Sequence, residues 1–332
     1  MAIIEQEITD RYAIYNGDCI EVLPSIKSES VHLSVYSPPF ADLYNYSSAD
    51  NDMSNCRSYE QFLNHYEFLV KEMARVTLPG RTNVIHCMDL KTSNGASIYR
   101  DFPGDIIRLH EKHGFHYQGR HCIWKEPLRV AIKTRALGLA HRQIVKDSSL
   151  CHSASADYIL ILRKSGTNKI PISHHNGITK YAGERQPPAD LIKRFTRWTD
   201  PRTNKLSHWI WQQYASAFWD DIHGGKVLPY HEAKDSEEEK HICPLQLQVI
   251  ERCLVLYSNP GEILLTPFMG VGSEVFSAVR NNRRAIGIEL KPSYFRQAKK
   301  NMSSVDDGEQ ETLFSESEIS NDDWQELEEV TE

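Results

Sequence analysis

An alternation of short apolar strands with amphipathic helices is the feature that most constrains the fold of this chain. Parallel neighbouring strands need a helical crossover between them, so this alternation favours an open, mostly parallel α/β sheet. Predicted strands lie at 12–15, 31–36, 82–87, 116–124, 157–162, 262–265 and 284–288, and predicted helices include 58–76, 102–113, 244–257 and 292–302. Ligands of such sheets bind at the carboxyl ends of the strands.

The alternation is interrupted once, between 164 and 240. This stretch is rich in basic and aromatic residues, holds four of the six tryptophans, and is interpreted as an inserted target-recognition region. We therefore divide the chain into a catalytic half (1–163), the insertion (164–240), a cofactor-binding half (241–304) and an acidic, disordered tail (305–332).

The charge distribution points to a polyanionic partner. The formal net charge is −7, but the tail contributes 12 acidic and no Lys or Arg side chains, which leaves 38 basic against 33 acidic in the rest, a net +5. Segment 120–150 holds seven basic and two acidic residues, and segment 163–205 holds ten and three. Two basic segments suggest nucleic acid, although two solvated faces are the simpler alternative.

Several protein classes are disfavoured by composition. No apolar run approaches the roughly 20 residues of a membrane span, and the first residues lack a secretory signal, so we expect no membrane association and a cytoplasmic location. Seven scattered cysteines without a Cys-x-x-Cys pair argue against a disulfide framework and a zinc ribbon. We therefore expect no metal site.

A glycine-containing turn, Thr266-Pro-Phe-Met-Gly-Val-Gly-Ser273, lies between a predicted strand and a helix. Glu289 ends the next strand, 19 residues beyond Gly270, where an acid can hold ribose hydroxyls. A dinucleotide site needs a third glycine where Val275 stands, so a nucleoside cofactor without pyrophosphate, S-adenosylmethionine, fits better. The alternative is an ordinary β–α turn followed by a solvated glutamate.

The sequence Ser37-Pro38-Pro39-Phe40 directly follows another predicted strand. Two prolines stiffen the turn, so that the Ser37 hydroxyl and the Pro38 carbonyl become fixed acceptors beside an aromatic stacking surface. Two acceptors that engage an exocyclic NH₂ group draw its lone pair out of conjugation, and that pair can then attack a sulfonium methyl. A plain strand-end turn is the competing interpretation.

Together the two motifs resemble those of the β-group DNA amino-methyltransferases, from about residue 12 to 302. The catalytic motif comes first, the basic insertion second and the cofactor motif last, as in that group. The resemblance implies a circularly permuted, doubly wound (Rossmann-like) methyltransferase sheet. It also makes 241–246 similar to the family's histidine-led segment and Asn16-Gly17-Asp18 similar to its adenine-side element.

By this resemblance, the target base is held by Ser37, Pro38, Pro39 and Phe40, and S-adenosylmethionine by Asp18, His241, Phe268, Gly270, Gly272, Ser273 and Glu289. Thr266 departs from the family pattern because an aspartate normally stands there. The segment at His241 matches the family in position more than in identity.

The resemblance implies double-stranded DNA as the partner and a flipped-out base as the target. It also admits a homodimer and, as part of a restriction-modification system, a cognate restriction endonuclease. Predicted phosphate contacts are Lys125, Arg129, Lys133, Arg135, Arg142 and Lys146.

The product is the least constrained inference. Serine in the first catalytic position is more typical of enzymes that make N4-methylcytosine, so cytosine is favoured over N6-methylation of adenine. Methylation of protein glutamine or of RNA, and a catalytically silent DNA-binding module, are alternatives. A carbon-5 cytosine methyltransferase is disfavoured because the chain lacks a Pro-Cys dipeptide.

Overall fold

A nine-stranded sheet with helices on both faces forms the centre of the molecule. The computed structural model describes residues 3–39, 56, 58–91, 99–134, 137–195, 202–230, 233 and 244–306. Its strands are β1 Ile3–Ile8, β2 Tyr12–Gly17, β3 Val31–Tyr36, β4 Thr77–Met88, β5 Leu90–Lys91, β6 Tyr99–Arg100, β7 Phe115–Ile123, β8 Asp157–Lys164, β9 Phe218–Trp219, β10 Ile263–Thr266 and β11 Arg284–Glu289. Its helices are α1 Cys19–Val22, α2 Tyr59–Val76, α3 Phe102–Lys112, α4 Pro127–Thr134, α5 His141–Asp147, α6 Ala189–Phe195, α7 Lys205–Ala215, α8 Leu247–Tyr257, α9 Ser273–Arg280 and α10 Pro292–Ser303.

The order of strands in the sheet is β1-β2-β11-β10-β3-β4-β8-β7-β9. The five central strands from β2 to β4 are parallel to one another, whereas β1 and β8 run antiparallel to their neighbours. Strands β10 and β11 come last in the chain but lie between β2 and β3. This arrangement confirms the predicted α/β class and the circularly permuted, doubly wound order.

Both faces of the sheet are covered by helices. The adjacent residues Leu264 and Leu265 of β10 point to opposite faces, one packing with Phe276 and Phe295 of α9 and α10, the other with Phe62 of α2. Strands buried on both faces read as continuous apolar runs, which is why the sequence located them well. The sequence did not predict the edge strand β1, because four of its six residues are exposed and it has no continuous apolar run.

Helix α2 illustrates how local sequence sets an element. The Ser58 side chain caps it by accepting a hydrogen bond from the Gln61 amide, and six apolar residues at helical spacing are buried along one face. Strand β4 begins directly after the helix, at Thr77, and continues through Pro79 and Gly80. Gly80 allows this because its φ is +72° and a Cβ there would stand 2.4 Å from the Asn168 amide nitrogen.

The described part of the insertion is attached to the sheet. Strand β9 pairs in parallel with β7, and Trp219 and Tyr214 are fully buried, so much of the aromatic cluster is core. Trp211 remains 53% exposed. The domain limits stay predictions, since 234–243 and the tail beyond 306 lie outside the described residues. Among the described helices, none is long and apolar enough to cross a membrane.

Candidate active site

The carboxyl ends of the five central strands meet at one edge of the sheet, which we call the carboxyl edge. Along this edge, in the order of the strands, follow Asp18 after β2, Glu289 on β11, the glycine turn after β10, Ser37 after β3 and His86 on β4. Residues that are up to 271 positions apart in sequence thus lie along one edge of the sheet. The two predicted motifs lie on adjacent strands, β10 and β3.

The glycine turn has a backbone that only glycine adopts readily. Gly270 and Gly272 have φ values of +55° and +94°, in the left-handed region. A Cβ on Gly272 would also stand 3.3 Å from the Ala298 Cβ, whereas a Cβ on Gly270 would meet nothing within 4 Å. The turn therefore leaves open space beside Gly270, immediately before Ser273 begins α9.

Glu289 fastens the glycine turn to β11. One carboxylate oxygen accepts from the Gly270 amide at 2.8 Å and the other from the Lys291 amide at 2.8 Å. The buried Asn16 side chain donates to the Glu289 carbonyl at 2.8 Å, which ties the end of β2 to the same place. Each carboxylate oxygen has further lone pairs, so Glu289 can also accept from sugar hydroxyls.

Unpartnered buried polar atoms lie at both ends of this turn and at the start of α8. In the described part of the chain, the hydroxyls of Thr266 and Ser273 and the Gln246 side-chain oxygen are buried without a hydrogen-bond partner. Such atoms are costly unless a ligand or water satisfies them. Together with the open space at Gly270, they fit a cofactor that carries ribose hydroxyls, an ammonium and a carboxylate, such as S-adenosylmethionine.

Of the remaining predicted cofactor residues, Asp18 and Phe268 lie within the described residues and His241 does not. Asp18 caps α1 by accepting from the Ile20 amide at 2.9 Å, and burial raises the pKa of its carboxyl. Phe268 packs against Tyr36 with ring centroids 6.0 Å apart, which joins the glycine turn to the end of β3. Phe40 of the catalytic motif also lies outside the described residues.

Ser37 begins a row of polar side chains that the sequence did not reveal. Its hydroxyl lies 2.7 Å from His86 Nδ1, and His86 Nε2 lies 3.0 Å from Asp157 Oδ2. Lys125 Nζ stands 2.6 Å from the same carboxylate oxygen. The four side chains come from the ends of β3, β4, β8 and β7. We call this set, Ser37, His86, Asp157 and Lys125, the serine array.

Asp157 is ionised within this array. Burial alone would raise the pKa of its carboxyl, but the neighbouring His86 and Lys125 outweigh burial and lower that pKa below its ordinary value. Only 4% of the Asp157 side chain is exposed. The array therefore presents a buried carboxylate to the His86 imidazole.

The connection that contains the predicted phosphate contacts leaves and returns at the carboxyl edge. Strand β7 ends at this edge and β8 begins there, so the connection between them, with α4 and α5, projects from the site. Arg129 lies on α4, and Arg142 and the exposed Lys146 lie on α5. Arg135 and the Lys133 side chain lie outside the described residues. The Lys125 ammonium forms an ion pair with Asp157.

Within the described ranges, no group of three or more His, Cys, Asp or Glu side chains is placed to hold a metal ion. The chemistry of the carboxyl edge is instead that of hydroxyls, carbonyls, carboxylates and an imidazole.

The permuted sheet places the glycine turn beside the Ser37-Pro38 turn, as the resemblance to Rossmann-like amino-methyltransferases implies. A family model described as DNA methylase matches residues 31–300. The chain belongs to this family of N6 and N4 DNA methyltransferases, whose cofactor is S-adenosylmethionine.

The curated relatives have low sequence identity to this chain, but the similarity extends over most of its length. The type II methyltransferase M.BglII of Bacillus subtilis is 25% identical over 283 residues, covering 85% of this chain and 66% of that protein. The type II methyltransferase M1.MboII of Moraxella bovis is 23% identical over 287 residues, covering 86% and 94%.

Solved structures share the fold. A DNA modification methylase of Thermus thermophilus in complex with S-adenosyl-L-methionine has a TM-score of 0.57 and 23% identity, covering 90% of this chain and 97% of that one. The cytosine-N4-specific PvuII DNA methyltransferase has a TM-score of 0.59 and 15% identity, covering 98% and 94%.

Glu274, in the first turn of α9, predicts an unusual pH dependence of stability. Burial and then the nearby Glu289 carboxylate raise the pKa of Glu274 from 4.5 to about 8. The folded chain thus keeps a proton that the unfolded chain releases, so stability falls as pH rises from about 4.5 to about 8, by about 1.4 kcal/mol per pH unit. Glu274→Gln removes this loss, and we expect it to melt above the wild type at pH 9 but not at pH 5.

Thermal unfolding of the cofactor-free protein between pH 5 and pH 9 checks this expectation. Glu60→Gln, in the first turn of α2 where the side chain is exposed, serves as the matched control and should follow the wild type throughout. Parallel curves for Glu274→Gln and the wild type would show that Glu274 ionises normally.

Proposed function

We propose that this protein methylates the exocyclic N4 amine of a cytosine that is flipped out of duplex DNA. The observation that carries the proposal is the position of Ser37 and Pro38 at the carboxyl edge, on the strand adjacent to the glycine turn. An amine held by the Ser37 hydroxyl and the Pro38 carbonyl lies beside the space where the cofactor binds. S-adenosylmethionine supplies the electrophilic methyl group.

The residues of the site have separate proposed roles. Ser37 and Pro38 orient the amine, and the Phe40 ring is proposed to stack on the base. Glu289 and the glycine turn hold the cofactor, since Glu289 also fixes the Gly270 amide. The buried hydroxyls of Thr266 and Ser273 are proposed to contact the methionine end of the cofactor, where Thr266 replaces the aspartate of the family.

Basic side chains on α4 and α5 are proposed to bind the DNA backbone. Arg129, Arg142 and Lys146 lie in the connection that leaves the carboxyl edge after β7. Phosphate contacts position the duplex without reading sequence, so the insertion is left to recognise the target site. A homodimer and a cognate restriction endonuclease remain proposals from the family resemblance.

A catalytically silent DNA-binding module is the less favoured alternative. Loss of the aspartate at position 266 supports it. The intact Ser37 turn, the Glu289 bonds to the glycine turn and the unpartnered polar atoms around it argue for turnover.

Nucleoside mass spectrometry tests the assignment of the base. Duplex DNA of mixed sequence is incubated with the protein and isotopically labelled S-adenosylmethionine, then digested to nucleosides. We expect labelled N4-methylcytosine. Labelled N6-methyladenine as the sole product would overturn the cytosine assignment but keep amino methylation, and cofactor binding without any labelled nucleoside would favour the silent module.

A further inference from the structure

The serine array has a defined direction of hydrogen bonding. The 3.0 Å contact of His86 Nε2 with Asp157 lacks hydrogen-bond geometry, but a lone pair on Nε2 would face the buried carboxylate, so the charge of Asp157 favours the proton on Nε2. A neutral imidazole then has its lone pair on Nδ1, 2.7 Å from the Ser37 hydroxyl. Ser37 therefore donates its proton to His86, and its own oxygen lone pairs are free to accept from a substrate amine.

We infer that His86, which lies beside the Asp157 carboxylate, is the proton acceptor behind Ser37 during methyl transfer. The inference rests on the proposed function and extends it, because the acceptor turn alone assigns no destination for the proton that the amine must lose. The order of groups is that of a serine–histidine–aspartate triad, although here Asp157 acts on the imidazole through its charge. Here Ser37 relays a proton and forms no covalent bond.

The atoms of the step balance. As the amine nitrogen bonds the methyl carbon, the carbon–sulfur bond breaks with its electron pair on sulfur, and the nitrogen gains positive charge. One amine proton then passes to Ser37 Oγ while the Ser37 hydroxyl proton passes to His86 Nδ1. The resulting imidazolium lies against Asp157, and its proton returns through Ser37 to solvent after the product leaves.

The surroundings of His86 contain the groups such a relay needs. Ser37 from β3 and Asp157 from β8 contact its two ring nitrogens, and Lys125 follows β7 and binds the same Asp157 oxygen. Another histidine near this edge, His121 on β7, bonds through Nδ1 to the Ser216 carbonyl instead. Lys125 lies 2.6 Å from the Asp157 oxygen that also faces His86 and so offsets part of the carboxylate charge.

The pH dependence of the single-turnover rate on DNA tests the inference. We expect the wild-type rate to fall on the acid side as one proton binds. His86→Asn keeps a polar atom near Ser37 but cannot titrate, so its rate should be about 100-fold lower and lack this acid limb. KM for DNA and Kd for S-adenosylmethionine should change less than about threefold.

A matched control lies at the opposite edge of the sheet. His116 on β7 contacts the Ser165 hydroxyl at 3.0 Å but has an exposed side chain and no role in the site. His116→Asn should keep the wild-type rate and its acid limb.

Lys125→Met gives a second test that leaves the His86 side chain in place. Removing this cation leaves the Asp157 charge uncompensated, which favours the imidazolium, so the acid limb should move to higher pH. An acid limb that stays in place in Lys125→Met, or that survives in His86→Asn, would overturn the inference while DNA methylation stands. If the wild type methylates no DNA, the proposed function fails, and this inference fails with it.

Discussion

Replacing Glu289 by alanine should weaken the binding of S-adenosylmethionine by at least about 100-fold. The carboxylate holds the Gly270 and Lys291 amides at 2.8 Å each, and we propose that it also accepts from the ribose hydroxyls. Hydrogen bonds to a charged group contribute about 1.5–3 kcal/mol each, and about 1.4 kcal/mol corresponds to a tenfold change in affinity. Loss of two ribose contacts therefore accounts for the expected change.

Isothermal titration calorimetry measures this affinity directly. Glu5→Gln removes an exposed carboxylate on β1 that pairs with Lys299 and is the control, with an expected affinity equal to that of the wild type. Thermal melting without cofactor distinguishes the two causes of weaker binding. A loosened glycine turn lowers the melting temperature of Glu289→Ala, whereas the loss of ribose contacts alone leaves it unchanged. Wild-type affinity in Glu289→Ala would place the cofactor elsewhere.

Replacing Asp221 by alanine should destabilise the protein by about 3–5 kcal/mol, since it leaves a buried cation without its counter-ion. Arg252 of α8 is fully buried, and its Nη2 atom bonds both Asp221 oxygens at 2.7 Å. Its Nε atom also donates to the Ala182 carbonyl at 2.6 Å. This pair joins the insertion to the sheet domain, so its loss should loosen both.

The neighbouring residue supplies a matched control. Asp220 pairs with Arg185 at 2.6 Å, but both side chains are nearly half exposed, so Asp220→Ala should cost less than about 1 kcal/mol. Denaturant and thermal unfolding compare the two variants, and Asp221→Ala should lower the melting temperature by roughly 10 °C. Equal stability of the two variants would show that the Arg252 pair contributes little.

Much of the fold could be predicted from the sequence because buried parallel strands and capped amphipathic helices leave strong local patterns. The predicted strand at 284–288 and the helix at 292–302 match β11 and α10 to within about one residue. The resemblance in motif order also implied the permuted sheet, and the strand order confirms it. Strand β1 could not be found, since an exposed edge strand shows no apolar periodicity.

The cofactor side of the site was predictable, whereas the serine array was not. Glu289 and the glycine turn belong to one β–α–β unit, so their spacing carries the information. His86 and Asp157 lie 71 positions apart and meet only because β4 pairs with β8. Local sequence does not encode which strands pair over that separation. The available signal was a polar residue near one end of each strand, His86 near the carboxyl end of β4 and Asp157 at the amino end of β8.

The most direct test of the central claim is transfer of a labelled methyl group to duplex DNA by the wild type and by Ser37→Ala at saturating S-adenosylmethionine. The account predicts label on DNA with the wild type and a rate about 100-fold lower with Ser37→Ala, at unchanged cofactor affinity, because the amine loses an oriented acceptor. Equal rates for the two proteins, or no label on DNA from the wild type, would contradict it.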